Sequence, residues 1–336
     1  MAQSSKVDAP IESFSVRAAS EARRRWQRFT GIDEIGVLIA IFVIGFLLSV
    51  STDTFLRSNN LLQVARQASY YGIMAVGMVF VLSMGDVDLS VGSILMLVNI
   101  VTAIALREGL PVPLAILAGL STGAVCGLVN GSLSVILRIP TIIVTLGTMS
   151  VFRGAALVIS KATPISQFSK DTLLFTLGGG RILGVPTSVV IMILVGVVGF
   201  ILFNRTAFGR RVQAIGSNLQ AARFSGIRIV RHRILVMTLM GVFSAIAGIA
   251  ALAFLQAGDP ATGPGFELFV IASAIIGGTA LTGGSGSIPG GILGALIIAM
   301  IRNGLVLIGL SAYWSTAATG VVIIAAVAID YFVKRR

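Results

Sequence analysis

Long apolar stretches, each close to one bilayer-crossing helix in length, recur along this chain, separated by short polar or glycine-rich breaks. A hydrocarbon core of about 30 Å takes roughly 20 apolar residues per helix. On that ruler ten candidate spans stand out, near Ile35 to Thr52, Ser69 to Met84, Leu89 to Leu106, Val112 to Ile136, Pro140 to Ser160, Val185 to Phe203, Ile234 to Ala257, Phe269 to Leu281, Gly290 to Gly309 and Trp314 to Phe332. The second and third are barely separated and the eighth is short, so either could be re-entrant or broken, and the count is eight to ten crossings. The pattern predicts an all-α, polytopic membrane protein: a polar basic tail over 1–34 without a cleavable signal, then one transmembrane domain over 35–333.

The longest polar interruption of the second half, Asn204 to Arg233, holds seven arginines and His232 with no acidic residue. It also carries a local folding signal. Ser217 could cap a helix reciprocally with Gln220, and Gly226 could end it, which predicts a short helix over Asn218 to Ser225 outside the bilayer. A loop that only marks topology needs no capped helix. In the N-terminal tail, Phe14 to Phe29 with Trp26 could lie on headgroups as a basic helix or stay disordered.

Composition sharpens the class. The chain is 56% hydrophobic and only 11% charged, with a mean hydropathy of +0.98. A soluble domain of 336 residues needs far more polar surface. A net charge of +12 would suggest nucleic acid in a soluble protein. Here the charge sits in loops and tails, as the positive-inside bias requires, and no nucleic-acid role is expected. With the N-terminus inside, the tail, Arg138, the arginine loop and Lys334 to Arg336 share one side. Only Arg57, Arg66, Arg107, Lys161, Lys170 and Arg181 fall on the other. Both termini and the loop are therefore expected in the cytoplasm. Cys126 is the single cysteine, so no intrachain disulfide exists. His232 alone among arginines makes no zinc site, and no metal is expected.

Gly119, Gly123, Gly127 and Gly131 recur every four residues and predict a helix face that another backbone approaches closely. Asn130 beside them needs a partner inside a bilayer. Two carboxylates, Asp86 and Asp88, stand between two apolar runs in Met84-Gly-Asp-Val-Asp-Leu-Ser-Val-Gly-Ser93. Asp88 could cap a helix starting at Leu89, or a broken helix could place either carboxylate on a solute path. The glycine-rich stretch Ile275 to Gly291 has no lysine after its glycines, so it is no phosphate loop, and any ATP must be handled by another chain. Arg302 falls inside a span, where a charge costs about 2.5 to 3.5 kcal/mol on insertion scales and is usually functional or paired. Arginine does not release its proton, which counts against a proton-coupled carrier. The substrate-path candidates are Asp86, Asp88, Asn99, Asn130, Thr145, Thr148, Arg302 and Asn303. No catalytic constellation is present, and the chain is not expected to be an enzyme.

Several stretches in one order, Gly77-Met-Val-Phe-Val-Leu, Asp88-Leu-Ser-Val-Gly-Ser-Ile94, Pro140 to Ser150, Gly209-Arg-Arg-Val-Gln-Ala-Ile-Gly-Ser-Asn218, Ala221-Ala-Arg-Phe-Ser-Gly226, Gly277-Gly-Thr and Asn303-Gly-Leu, resemble the permease subunits of ribose-type sugar ABC importers. The likeness runs from about Asn59 to Asp330. It departs at Gly85-Asp-Val-Asp88, where the family usually has Gly-Gly-Ile-Asp, and the added Asp86 bears on which sugar is carried. The resemblance implies a fold similar to the vitamin B12-type importer permease. It implies a homodimer or a pairing with a paralogue, two cytoplasmic ATPase subunits that carry ATP and Mg, and a periplasmic or lipid-anchored sugar-binding protein. It further implies that the loop after the sixth span couples to the ATPase, through Arg210, Arg211, Asn218, Ala221, Ala222, Arg223, Phe224, Ser225 and Gly226. A branched-chain amino-acid permease and, more distantly, a secondary transporter are the rival readings.

Overall fold

A computed structural model of the chain describes residues 34–310 and single positions between 314 and 324. The basic tail, the helix considered at Phe14 to Phe29 and most of the tenth expected span lie outside the described residues.

Nine of the ten expected spans coincide with helices. These are α1 (Ile35–Ser51), α2 (Ser58–Ser83), α3 (Val91–Arg107), α4 (Val112–Leu137), α5 (Thr141–Ser160), α6 (Thr187–Phe200), α9 (Ile229–Leu255), α10 (Phe266–Ile276) and α11 (Ile288–Leu307). Between α6 and α9 lie two short helices, α7 (Ala207–Ser217) and α8 (Leu219–Phe224). Among the described residues, sheet is confined to the hairpin β1 (Arg181–Ile182) and β2 (Val185–Pro186). The punctuation is local: Pro111, Pro140 and Pro186 stand immediately before α4, α5 and α6, and left-handed Arg138, Lys161 and Gln256 end α4, α5 and α9. Among the described residues, five helices are long and apolar enough to cross a membrane: α4, α5, α6 with its wide-turn extension to Arg205, α9 and α11; α1, α3 and α10 are shorter apolar helices. The chain is an all-α membrane protein.

Two segments differ from the expected boundaries. α2 begins well before Ser69, at Ser58, because Asn59, Asn60, Gln63, Arg66 and Gln67 read as loop by hydropathy yet sit on a continuous helix. α10 is as short as the sequence indicated. At its end Gly277 lies against the backbone of Gly290, where a Cβ would overlap, and chain 277–287 continues through left-handed Gly278, Gly283 and Gly284.

The core is built by the most apolar elements. The second half of α2, from Tyr71 to Ser83, is hydrophobic all round and buried all round, and it packs with α9 and α10. The expected glycine face is present on α4. Gly123 and Gly127 press against the backbone of Gly241 and Met237 on α9, and Gly131 against Ile234. The two helices therefore meet backbone to backbone. Outward faces of α1, α4, α5 and α6 carry large apolar side chains such as Phe42 on α1, 75% exposed, and Val158 on α5, 78% exposed. Lipid, not water, suits such a surface.

Candidate functional site

The linker Met84–Ser90 turns at left-handed Gly85 and brings both carboxylates into the protein. Asp88 does not cap a helix at Leu89. α3 begins at Val91, and Asp88 instead closes a tight turn just before it. Asp88 Oδ1 accepts from the Ser90 amide at 2.8 Å and from the Ser90 hydroxyl at 2.6 Å. The hydroxyl is part of a longer chain. Thr148 on α5 donates to Asn130 Oδ1 at 2.6 Å. Asn130 Nδ2 on α4 donates in turn to Ser90 Oγ at 2.8 Å. Every donor in the chain points toward Asp88, an order in which each bond polarises the next. Asp88, Ser90 and Asn130 are fully buried, and Asp88 Oδ2 has no partner among the described residues. Thr145 accepts from the Leu89 amide at 3.1 Å and ties α5 to the same linker.

Asp86 has different company. Its Oδ1 accepts from Thr141 at the start of α5 and its Oδ2 from Arg233 Nε in the first turns of α9, both at 2.8 Å. Removing one member of such a partly buried pair leaves the other charge uncompensated. Asp86→Ala should therefore destabilise the protein by about 2 kcal/mol, below the usual cost for a deeply buried pair, because Arg233 keeps some solvent contact. A thermal-unfolding cycle with Arg233→Ala and the double variant should recover part of that loss; strict additivity would show that the pair is not coupled.

The eight substrate-path candidates thus occupy four places. Asp86, Asp88, Asn130, Thr145 and Thr148 meet around the linker. Asn99 instead pins α3 to α9 and to the following loop, through Gly248 O at 3.2 Å and the Asp259 amide at 2.9 Å. Arg302 lies toward the core, where it bonds the Tyr71 hydroxyl and faces the Phe269 ring at 4.4 Å, a favourable seat for a cation. Asn303 makes a reciprocal amide pair with Asn60, at 3.0 and 2.8 Å, and borders a separate cavity. Ser90, Thr141 and Arg233 join the linker site without having been singled out for it. Ser90 and Thr141 sat inside quoted motifs, whereas Arg233 read as one more loop arginine.

The arginine loop holds two helices where one was expected. Thr206 caps α7 by accepting from the Gly209 amide at 3.3 Å, which satisfies one of the free donors of the first turn. Phe208, Val212 and Ile215 turn that helix inward. The cap of α8 is Asn218, whose Oδ1 accepts from the Ala221 amide at 2.9 Å, and not Ser217, which ends α7. Gly226 stops the segment with φ of 76°, a left-handed turn that glycine adopts freely. Of the nine coupling candidates only Ala222 is buried. Phe224 is 89% exposed and, with Leu219 and Arg223, forms a protruding face. Behind it, a 450 Å³ cavity is lined by Arg211, Arg228, Arg231 and His232.

This loop touches both breaks in the helical framework. Gly216 of α7 is seated against Ser83 O and the Gly284 amide, which themselves bond at 2.8 Å, and Gly284 lies under Ser217. The end of α2, from which linker 84–90 departs, and the linker 277–287 are thus joined at one point on α7. Among the described residues no three His, Cys, Asp or Glu side chains stand together as a metal site would need.

The family described as branched-chain amino acid transport system / permease component matches residues 60–327. Among curated proteins, the chain is 38% identical to the ribose import permease protein of Bacillus subtilis over 90% of its own length and 94% of that protein's. It is 35% identical to the D-allose transport system permease protein of Escherichia coli, over 96% and 99% of the two chains. It is 32% identical to the xylose transport system permease protein of Haemophilus influenzae, over 89% and 96%. No solved structure matches the chain.

Proposed function

We propose, from the premise that this chain belongs to the branched-chain amino acid transport system / permease component family, that it is the membrane-spanning permease subunit of an ATP-binding cassette importer for a monosaccharide. The observation that carries the substrate class is the identity of 32 to 38%, along nearly the whole chain, to permeases named for ribose, allose and xylose. The rival amino-acid substrate is not favoured, since a zwitterion would want complementary charges along its path and Asp86 is already neutralised by Arg233.

As a transport component it would not be an enzyme, and ATP with Mg would reside on separate cytoplasmic subunits. Both termini and the α7–α8 segment would face the cytoplasm, with about ten crossings in a fold similar to the vitamin B12-type permease, within the inner membrane. A second permease copy and a sugar-binding protein would complete the assembly. The coupling candidates around Arg223 and Phe224 would seat in the ATPase. Closure of the ATPase pair would push α8 and α7, and the push would reach both linkers through Gly216, shifting the Asp88–Ser90–Asn130 chain between two access states. A pH or ion gradient has no part in this scheme.

The test is uptake into vesicles containing the chain with its ATPase and binding protein. Labelled pentose should accumulate only with internal ATP, and unlabelled leucine should not compete. Accumulation driven by an ion gradient without the ATPase, or competition by leucine alone, would overturn the reading.

A further inference from the structure

At the end of the bundle remote from α7 and α8 lies a cavity of 530 Å³, between the first half of α2, the end of α9, the loop after it and α11. Its size is that of a small-molecule site. The lining from α2 is Gln63, Arg66, Gln67 and Tyr70, whose spacing of three, four and seven residues makes one helix face. This is the polar half of α2 that hydropathy assigns to a loop.

The chemistry of the lining is specific. Gln63 and Gln67 offer amides, and the pairing with Asn60 fixes the Asn303 amide while leaving its second Nδ2 hydrogen uncommitted. The Tyr70 hydroxyl is buried and has no partner among the described residues, an unusual state for such a group. The Arg66 guanidinium lies 3.8 Å over the centre of the Phe254 ring, within the range of a cation–π contact. The Phe254 ring also borders the cavity. No carboxylate is part of the described wall, so an ammonium group would find no counter-charge. A neutral polyhydroxylated ring uses everything present: hydroxyls meet the amides, the guanidinium and the Tyr70 oxygen, and C–H groups meet the aromatic face.

We infer that this cavity is a low-affinity monosaccharide subsite, which receives sugar before it reaches the linker residues. The inference rests on the sugar-permease reading, and it adds Gln63, Arg66, Gln67, Tyr70 and Phe254 to the residues that contact the solute.

Two measurements on the complete transporter in vesicles test it, with D-ribose, D-allose and D-xylose each as probe. Tyr70→Phe and Gln67→Ala should lower maximal uptake of the transported probe by about tenfold, while the half-saturating concentration of loaded binding protein and the basal ATP hydrolysis stay at wild-type values, a split that a merely structural defect would not give. Because Cys126 is the only native cysteine and is buried, Gln63→Cys provides a single reactive thiol. Its maleimide labelling should slow by about threefold in tens of millimolar transported probe, as expected of a weak site, while a Lys170→Cys control should not change. Unchanged uptake in both variants together with unprotected labelling would overturn the subsite and leave the permease reading standing. Spontaneous cross-linking of Gln63→Cys between permease copies would also overturn it, since a second copy would then fill the cavity. Wild-type failure to transport any probe would remove the permease reading and the subsite with it.

Discussion

Arg223→Ala combined with Phe224→Ala is expected to reduce the stimulated ATP hydrolysis of the assembled transporter to its basal rate. Phe224 is 89% exposed at the tip of a six-residue helix, and nothing among the described residues uses its ring. An aromatic side chain held outward on a capped helix is costly in water unless another protein covers it, and aromatic and arginine anchors of that kind carry about 2 kcal/mol or more each at interfaces. The fold should not suffer, because the buried member of the helix is Ala222 and the Asn218 cap remains. Membrane insertion and thermal stability are therefore expected at wild-type levels. Full stimulation of the double variant by sugar-loaded binding protein would remove α8 from the coupling role.

The second large effect is on folding. Gly127→Leu is expected to prevent assembly of the bundle, read as loss of the monodisperse peak of detergent-solubilised protein. At this position a Cβ would overlap Met237 O and come within 2.8 Å of the Thr238 Cα. Both obstacles are backbone inside α9, so neither can rotate away. Overpacking that flexible side chains absorb costs about 1 to 3 kcal/mol, and a rigid backbone clash between two central helices should exceed that range. Gly147→Ala supplies the contrast. That glycine lies on α5 with nothing within 4 Å of the built Cβ. Alanine there should be neutral or stabilising by up to about 1 kcal/mol. Wild-type behaviour of Gly127→Leu would mean that α4 and α9 can pack further apart than they do.

Much of the helical framework was legible in the sequence because apolar runs of helix length, and the prolines and glycines that punctuate them, are local signals. The glycine face of α4 was legible for the same reason, although only the fold reveals α9 as its partner. Hydropathy failed where polar residues are helical. It cut α2 short at Ser69 and merged α7 into a loop, since Gln63, Arg66 and Gln67, or Arg210, Arg211 and Gln213, read as solvent-bound whatever their backbone does. The α8 cap was displaced by one residue because Ser217 and Asn218 are both good caps, and only the end of α7 decides between them. The site was legible as residue types and not as a place. Asn130 plainly needed a partner, but Ser90 is forty residues away in the chain and Thr148 eighteen. Arg302 was expected to be functional or paired, and only the fold shows the aromatic rings from α2 and α10 that it meets.

The seat of Gly216 between Ser83 and Gly284 has an evolutionary corollary. At that junction the main chain of Gly216 meets the main chain of Ser83 and Gly284, so the link has little compliance and few residues specify it. Side chains on either side are free to vary, while the joint itself presents a very small mutational target. Nearly every substitution at Gly216 or Gly284 adds atoms where none fit. The prediction for sequence variation is correspondingly sharp: change should accumulate around this joint and stop at its glycines.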